Sequence, residues 1–192
     1  RFSKKSEEIA HADSAISALA ADTLQKQKQA LVFANTRKRA EHIAKQLAPL
    51  ASATLNKRES AYLKKAAEKA LNALESPTEQ CRTIAWLIER GACFHHAGLL
   101  GKQRELIEDL FRGNYIKLLS ATPTLAAGVN LPAYRIIIPS LYRYEEFGSQ
   151  RIPVREYKQL CGRAGRPKYH DKEGQSVLLA KTEPEEDDLH EN

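Results

Sequence analysis

The chain has 192 residues, of which 42% are hydrophobic, so it is long and apolar enough to bury a core, and global disorder is excluded. Thirty Lys and Arg against 24 Asp and Glu leave a net charge of +6. The last twelve residues, KTEPEEDDLHEN, hold six acids and one base, so the body without them carries +11. A basic body with an acidic tail points to a polyanionic partner, nucleic acid first, or equally to a well-solvated surface. No apolar run approaches the roughly 20 residues of a membrane span, and no signal-peptide pattern opens the chain, so no membrane association is expected. Three scattered cysteines, Cys81, Cys93 and Cys161, form no CxxC and no disulfide framework, which points to a reducing cytoplasm. The sequence contains no methionine and starts at Arg1, so we expect a piece of a longer protein.

In chain order, Ile9, Ile16, Leu19, Ala20 and Leu24 recur at helical spacing and predict a helix over 6–28. ALVFAN (30–35) is a strand, followed by an amphipathic helix over 36–47 that Pro49 is expected to stop. A Lys- and Ala-rich helix covers 57–74. SPTEQ (76–80) starts another that runs to about Arg90, with Gly91 ending it. ACFHHA (92–97) is a strand, 101–112 a helix ended by Gly113, and IKLLSAT (116–122), RIIIPS (135–140) and SVLLAK (176–181) are further strands. Residues 153–162 read as a helix with Pro153 at its start.

Strands alternate with helices, and several strands are continuous apolar runs. That pattern predicts an α/β fold with a mostly parallel sheet covered by helices on both faces. The expected organisation is a helical lead-in over 1–29, the domain proper over 30–181 with a helical insertion at about 50–78, and an acidic tail or linker over 182–192. In such sheets ligands bind beyond the carboxyl ends of the strands. There the sequence places NTR, HHAGL and ATPT.

Nucleotide chemistry of the chain's own is not evident. GLLGKQ (98–103) lacks the spacing of a phosphate loop, and Gln103 stands where a Mg²⁺-binding hydroxyl is needed. No metal-ligand spacing occurs, and the adjacent His95 and His96 would point to opposite faces of a strand. What remains is QLCGRAGRP (159–167). Arginine is a permanently charged planar fork suited to phosphate oxygens. Arg163 and Arg166 lie three residues apart, each directly after a glycine that lets the backbone turn and another surface approach. Such a pair, with no phosphate loop beside it, reads as a finger for phosphates bound by a different domain, or as two surface arginines beside a turn.

Together LVFANTRKRAE (31–41), FHHAGLLGKQRE (94–105), SATPTLAAGVNLPA (120–133) and QLCGRAGRP resemble the second RecA-like motor domain of superfamily-two helicases. Within them the motifs are most similar to the Ski-type branch and its archaeal Hjm-type fork-repair DNA helicases. The resemblance spans about residues 30–180 and implies a RecA-like fold. It implies the second half of an ATP-dependent 3′→5′ DNA motor acting in repair or at stalled forks. ATP and Mg²⁺ would be bound mainly by a first RecA-like domain of the same polypeptide, and the isolated fragment would be inactive as an ATPase. Single-stranded and forked DNA are the implied partners, while oligomeric state is left open. An RNA motor of the same branch and a stand-alone nucleic-acid-binding domain are the alternatives.

Carried over residue by residue, the resemblance implies that Gln159, Arg163 and Arg166 face the nucleotide, with Arg166 the finger and Arg163 its partner. Gly128 and Asn130 would couple nucleotide to nucleic acid. Thr36, Arg37, His96, Gly98, Thr122 and Thr124 would lie along a backbone track that binds phosphate without reading bases. His96 reads equally as a satisfied buried histidine, and Thr122 as a cap. The family's close relatives carry a strand-separating β-hairpin near 139–154. Here Tyr144, Phe147 and Arg151 are expected at or near its tip, where aromatic rings can stack on the last base pair. The alternative is an ordinary surface hairpin. Lys57, Arg58, Lys64, Lys65 and Lys69 fit no motif and form either a basic binding face or the solvated side of a helical insertion.

Overall fold

The computed structural model describes residues 12–123, 131–145, 148–165 and 173–179. Five strands form one sheet: β1 (Ala30–Phe33), β2 (Ala92–His95), β3 (Leu118–Ala121), β4 (Arg135–Ile138) and β7 (Gln175–Leu178), in the order β2-β3-β1-β4-β7. All four pairings are parallel. Every residue of β1 to β4 is buried. Because successive side chains point to opposite faces, burial of the whole run means that both faces are covered. The α/β reading is therefore borne out.

The register sets the level of the strand ends. Phe33 pairs with Ala121 and Ala121 with His95, while Ile138 pairs with Leu178. The carboxyl ends thus form one edge of the molecule, and the loops that leave them emerge side by side.

Six described helices surround this sheet: α1 (Ala12–Gln25), α2 (Arg37–Ser52), α3 (Lys57–Leu71), α4 (Glu79–Ile88), α5 (Gly101–Arg112) and α6 (Val154–Cys161). The connections β1→β2 and β2→β3 run in opposite directions across the sheet. The right-handed crossover rule then puts α2 and α5 on opposite faces. The histidines agree: His95 reaches Glu108 on α5 at 3.0 Å, and adjacent His96 faces Glu41 on α2 at 3.6 Å.

Local chemistry starts and stops these helices. Thr36 caps α2 by accepting the Arg39 N–H at 3.1 Å, and Thr78 caps α4 through the Cys81 N–H. Asn56 and Glu59 form a reciprocal capping box on α3. Gly91, at φ +70°, turns the chain from α4 into β2, a conformation that glycine adopts freely. One expected boundary is wrong. Pro49 lies inside α2, which runs on to Ser52, and its carbonyl still accepts the Ala53 N–H at 3.2 Å. Proline removes one N–H but leaves its own carbonyl available. The burial of Leu47, Ala48 and Ala51 holds the last turn against the core.

The expected hairpin is present as β5 (Tyr142–Glu145) and β6 (Gly148–Arg151), antiparallel. The Ile152 N–H donates to Leu141 O at 2.7 Å, and both side chains are buried, so the base of the hairpin is rooted in the core.

Candidate nucleotide and nucleic-acid interface

At the carboxyl end of β1, Asn35, Thr36, Arg37 and Lys38 are all exposed, although Ala34 before them is buried. The Thr36 hydroxyl oxygen is occupied as the α2 cap. That cap directs the first amides of the helix outward, where a helix N-terminus favours an anion. Asn35 donates to Tyr142 O, tying this loop to the first strand of the hairpin. Asn35 was not among the candidate residues; nothing in the run NTR distinguishes a brace from a ligand.

Beyond β2 the chain turns at His96–Ala97–Gly98. The His96 ring is 3% exposed and stacks on Phe94 at 5.3 Å. Its Nδ1 accepts the Gly98 N–H at 3.1 Å. A neutral imidazole with Nδ1 accepting carries its proton on Nε2, the atom that faces Glu41. Burial pushes the His96 pKa down, with Glu41 opposing. His96 therefore sits beneath the loop and shapes it, which is the buried-histidine alternative. Gly98 is exposed, and a Cβ there would come within 3.0 Å of the Arg37 guanidinium and 3.2 Å of the His96 ring. The glycine is what allows Arg37 to lie across the loop. Thus Thr36, Arg37, His96 and Gly98 are gathered at one place.

Beyond β3, the Thr122 N–H donates to His95 O at 3.2 Å, which links the third loop to the second. Thr122 is 8% exposed. Thr124, Gly128 and Asn130 lie outside the described residues, as do Phe147 and Arg166.

The chain resumes at Leu131, and Ala133 makes a two-way backbone pairing with the glycine–arginine segment. The Ala133 N–H donates to Arg163 O at 3.0 Å, and the Gly165 N–H donates to Ala133 O at 2.7 Å. Two motifs some 30 residues apart in sequence are thereby fastened together at the amino end of β4, away from the three loops above. Leu160, buried, anchors α6 beneath them, while Gln159 on the same helix is exposed. Tyr157, half-buried, has its phenol pushed up to about 12 by burial and by the Cys161 thiol beside it. The Arg163 guanidinium is lowered by burial but stays charged. Gly165 has φ +97°, and a Cβ on Gly174 would overlap the Gly165 nitrogen and Cα. Gly174 was missed in the sequence because it sits in no motif; its role is visible only as a close crossing of two backbones.

The hairpin register corrects one placement. Arg151 pairs with Tyr142 at the open end, and Tyr144 pairs with Ser149, one step from the Glu145–Gly148 pair that closes the turn. Arg151 is therefore about 10 Å from the tip, three strand steps of about 3.3 Å.

Electrostatically this edge is a set of donors. None of the described carboxyl ends of the sheet strands is followed directly by a carboxylate: the residues there are Ala34–Asn35, His96–Ala97, Thr122–Pro123, Pro139–Ser140 and Leu179. Among the described residues no group of three or more His, Cys, Asp or Glu could hold a metal ion. Gln103, in the stretch with two glycines and a lysine, is buried; its Oε1 accepts the Leu100 N–H at the start of α5. That segment starts a helix packed against the core and offers no phosphate loop. Cys93 is inert by position, since burial raises its thiol to about 12.

Comparison with known proteins places these motifs in a family. The profile of the helicase conserved C-terminal domain matches residues 63–168. The ATP-dependent DNA helicase Hel308 of Methanocella arvoryzae is 47% identical over 178 residues, 92% of this chain and 24% of that protein. The proteins of the same name from Pyrococcus horikoshii and Pyrococcus abyssi are 43% and 45% identical over 162 residues, in each case 84% of this chain and 22% of theirs. The chain spans about a quarter of the length of these curated relatives.

Proposed function

Because the chain belongs to the helicase conserved C-terminal domain family, we propose that it is the second motor domain of an ATP-dependent DNA helicase working in DNA repair or at stalled forks. The observation that carries the reading is the pairing of Ala133 with the Arg163–Gly165 backbone. It supports placing the end of the stretch 120–133 and the stretch 159–167 side by side against the nucleotide, at the amino end of β4.

In this reading ATP and Mg²⁺ sit against another RecA-like domain of the same polypeptide. This chain offers the triphosphate donors only: Gln159, the half-buried Arg163 and, one residue after Gly165, Arg166. Mg²⁺ would shield the phosphate charge when bound, and its ligands would come from the partner domain. The arginines stabilise charge that develops on the transferred phosphoryl group, and the role of finger falls to Arg166, with Arg163 beside it. An arginine finger is worth about 10³–10⁵ in rate. Gly128 and Asn130 transmit closure of the cleft to the track. Thr36, Arg37, Gly98, Thr122 and Thr124 hold strand phosphates, with His96 shaping the loop under Gly98. Contacts of this kind grip a backbone without reading sequence, as translocation requires. Tyr144 and Phe147, near the hairpin turn, stack on the last base pair of the duplex, while Arg151 at its base contacts a phosphate. Alone, the domain binds single strands weakly and does not turn over ATP.

The test is ATP hydrolysis by the full-length protein, wild type and Arg166→Ala, with no polymer, single-stranded DNA or single-stranded RNA. We expect stimulation by DNA and a loss of at least about 10³ in the variant. Stimulation mainly by RNA would move the substrate to an RNA motor. Full activity in Arg166→Ala would remove the finger.

A further inference from the structure

The helical segment 50–78 takes no part in the edge described above, and its position is informative. Leu55 lies against Gly91, Tyr62 stacks on Tyr115 at 4.1 Å, and Lys117 Nζ donates to Glu59 at 2.7 Å. Gly91, Tyr115 and Lys117 all precede strands. The start of α3 is therefore held at the amino ends of β2 and β3, opposite the loops that follow β1, β2 and β3.

One face of α3 is buried by Leu63, Ala66, Ala67 and Ala70. The opposite face carries Lys57, Arg58, Lys64, Lys65 and Lys69, all exposed, with Glu68 the one acid among them. Several other cations on this side of the molecule are ion-paired. Lys26 pairs with Asp22, Arg112 with Glu108 and Asp109, and Lys117 with Glu59. None of the five on α3 makes an ion pair with a described residue. Lys65 and Lys69 are spaced i, i+4, a like-charge arrangement that weakens a helix. A stable helix that concentrates unneutralised charge on one side gains from an external anion.

The composition of the face selects the kind of anion. Protein interfaces are enriched in aromatics and Arg and depleted in Lys. This face has four lysines, one arginine and a small Ala61 at its centre, with one aromatic, the half-exposed Tyr62, at its margin and held against Tyr115. From Lys57 to Lys69 it extends about 18 Å along the helix axis, roughly five base-pair steps of duplex DNA. Flexible ammonium groups at this spacing suit backbone phosphates and carry no base readout.

We propose that the exposed face of α3 is a second nucleic-acid surface of this domain, one that binds the phosphates of the duplex arm of a fork. It rests on the reading of the chain as a DNA motor domain, and it is separate from the single-strand track at the carboxyl edge. Its contribution is affinity for the double-stranded part of the substrate.

The test replaces Lys57, Lys64, Lys65 and Lys69 with alanine in the full-length protein. Alanine is a strong helix former and these side chains are exposed, so α3 should persist; thermal melting checks this. Binding to a short single strand and to a fork with a long duplex arm is titrated from low to moderate salt, alongside ATP hydrolysis stimulated by the single strand. We expect fork affinity to fall roughly tenfold. The slope of log affinity against log salt should flatten by about 2–4, since each phosphate contact contributes about 0.9. Single-strand binding and stimulated hydrolysis should be unchanged. An unchanged fork affinity and slope would make the face a solvated one and overturn the proposal. Equal losses on the single strand and the fork would also overturn it. If instead the wild-type protein shows no DNA-stimulated hydrolysis, the motor reading itself fails, whatever the α3 variant does.

Discussion

The two ends of the sheet use polar residues in opposite ways. At the amino ends of β1 and β4 the buried ones are consumed by structure. Gln29, 1% exposed, donates to Phe111 O at 2.9 Å and also to Ile116 O. Arg135, 3% exposed, donates to Leu19 O at 2.7 Å, Thr23 Oγ1 at 2.9 Å, Gln175 Oε1 at 3.0 Å and Asp22 Oδ2 at 2.6 Å. At the carboxyl ends Arg37, Lys38 and Gly98 face solvent. The same residue types thus serve folding at one edge and remain available to a ligand at the other. An arginine in this sequence says little until its strand end is known.

Replacing Arg135 breaks the first half of that comparison most severely. Arg135→Met leaves Thr23, Gln175 and the Leu19 carbonyl short of a donor, and Asp22 short of its buried partner. Loss of one member of a buried charged network costs on the order of 3 kcal/mol. Because Asp22 is partly hydrated, we expect no more than this, read as a fall in the denaturant midpoint with an unchanged slope. Arg37→Met at the other edge should leave the midpoint almost where it was. A comparable fall for both would mean that the two edges do not differ in this way.

Gly174→Ala is the next largest. Its Cβ would overlap the Gly165 backbone, so one of the two segments must shift. We expect a loss of about 1–3 kcal/mol from overpacking. The displacement falls on Arg163–Gly165, so ATP hydrolysis by the full-length protein should drop by more than the unfolded fraction explains. Hydrolysis that falls only in step with folding would detach this crossing from the site.

Much of this was legible in the sequence for a specific reason. Fully buried parallel strands such as ALVF and RIII are continuous apolar runs, and Thr36, Asn56 and Gly91 act through neighbours a few residues away. Local signals survive in a linear reading. What depended on distant partners did not: the Ala133 bridge to Ala164, the Gly174 crossing and the Asn35 brace join segments 31 residues apart in the first case and 107 in the last. The end of α2 was misread because tertiary burial overrode a proline, and Arg151 was misplaced because hairpin register needs the length of the turn. Arg163 and Gln159 were found through a motif, yet the side of the sheet on which they meet the preceding motif came only from backbone pairing.

Acid should separate the two edges in order. At the carboxyl edge His95 and His96 have depressed pKa values, in both cases mainly through burial, with Glu108 and Glu41 opposing. A histidine held neutral in the fold but free to protonate when unfolded contributes its full stability above about pH 6.5 and loses it as pH falls from there through the folded value. Protonation of His96 also forbids Nδ1 from accepting the Gly98 N–H, so the loop under Arg37 should loosen in the same interval. At the amino edge the shifts have the opposite chemistry. Asp22 is lowered by its hydrogen bonds from Lys26 and then Arg135. For Glu59, burial pushes upward, but the bonds from Lys117 and the Asn56 N–H outweigh it. Those carboxylates keep their contribution down to about pH 4 and lose it only below. Stability measured by denaturation should therefore decline in two steps, the first beginning as pH falls below about 6.5. The His96→Gln variant should shrink that first step and leave the second in place. Amide exchange near Gly98 should quicken in the first step, and exchange near Glu59 only in the second. A single decline below pH 4 would mean that the histidines under the second loop are not held neutral by the fold.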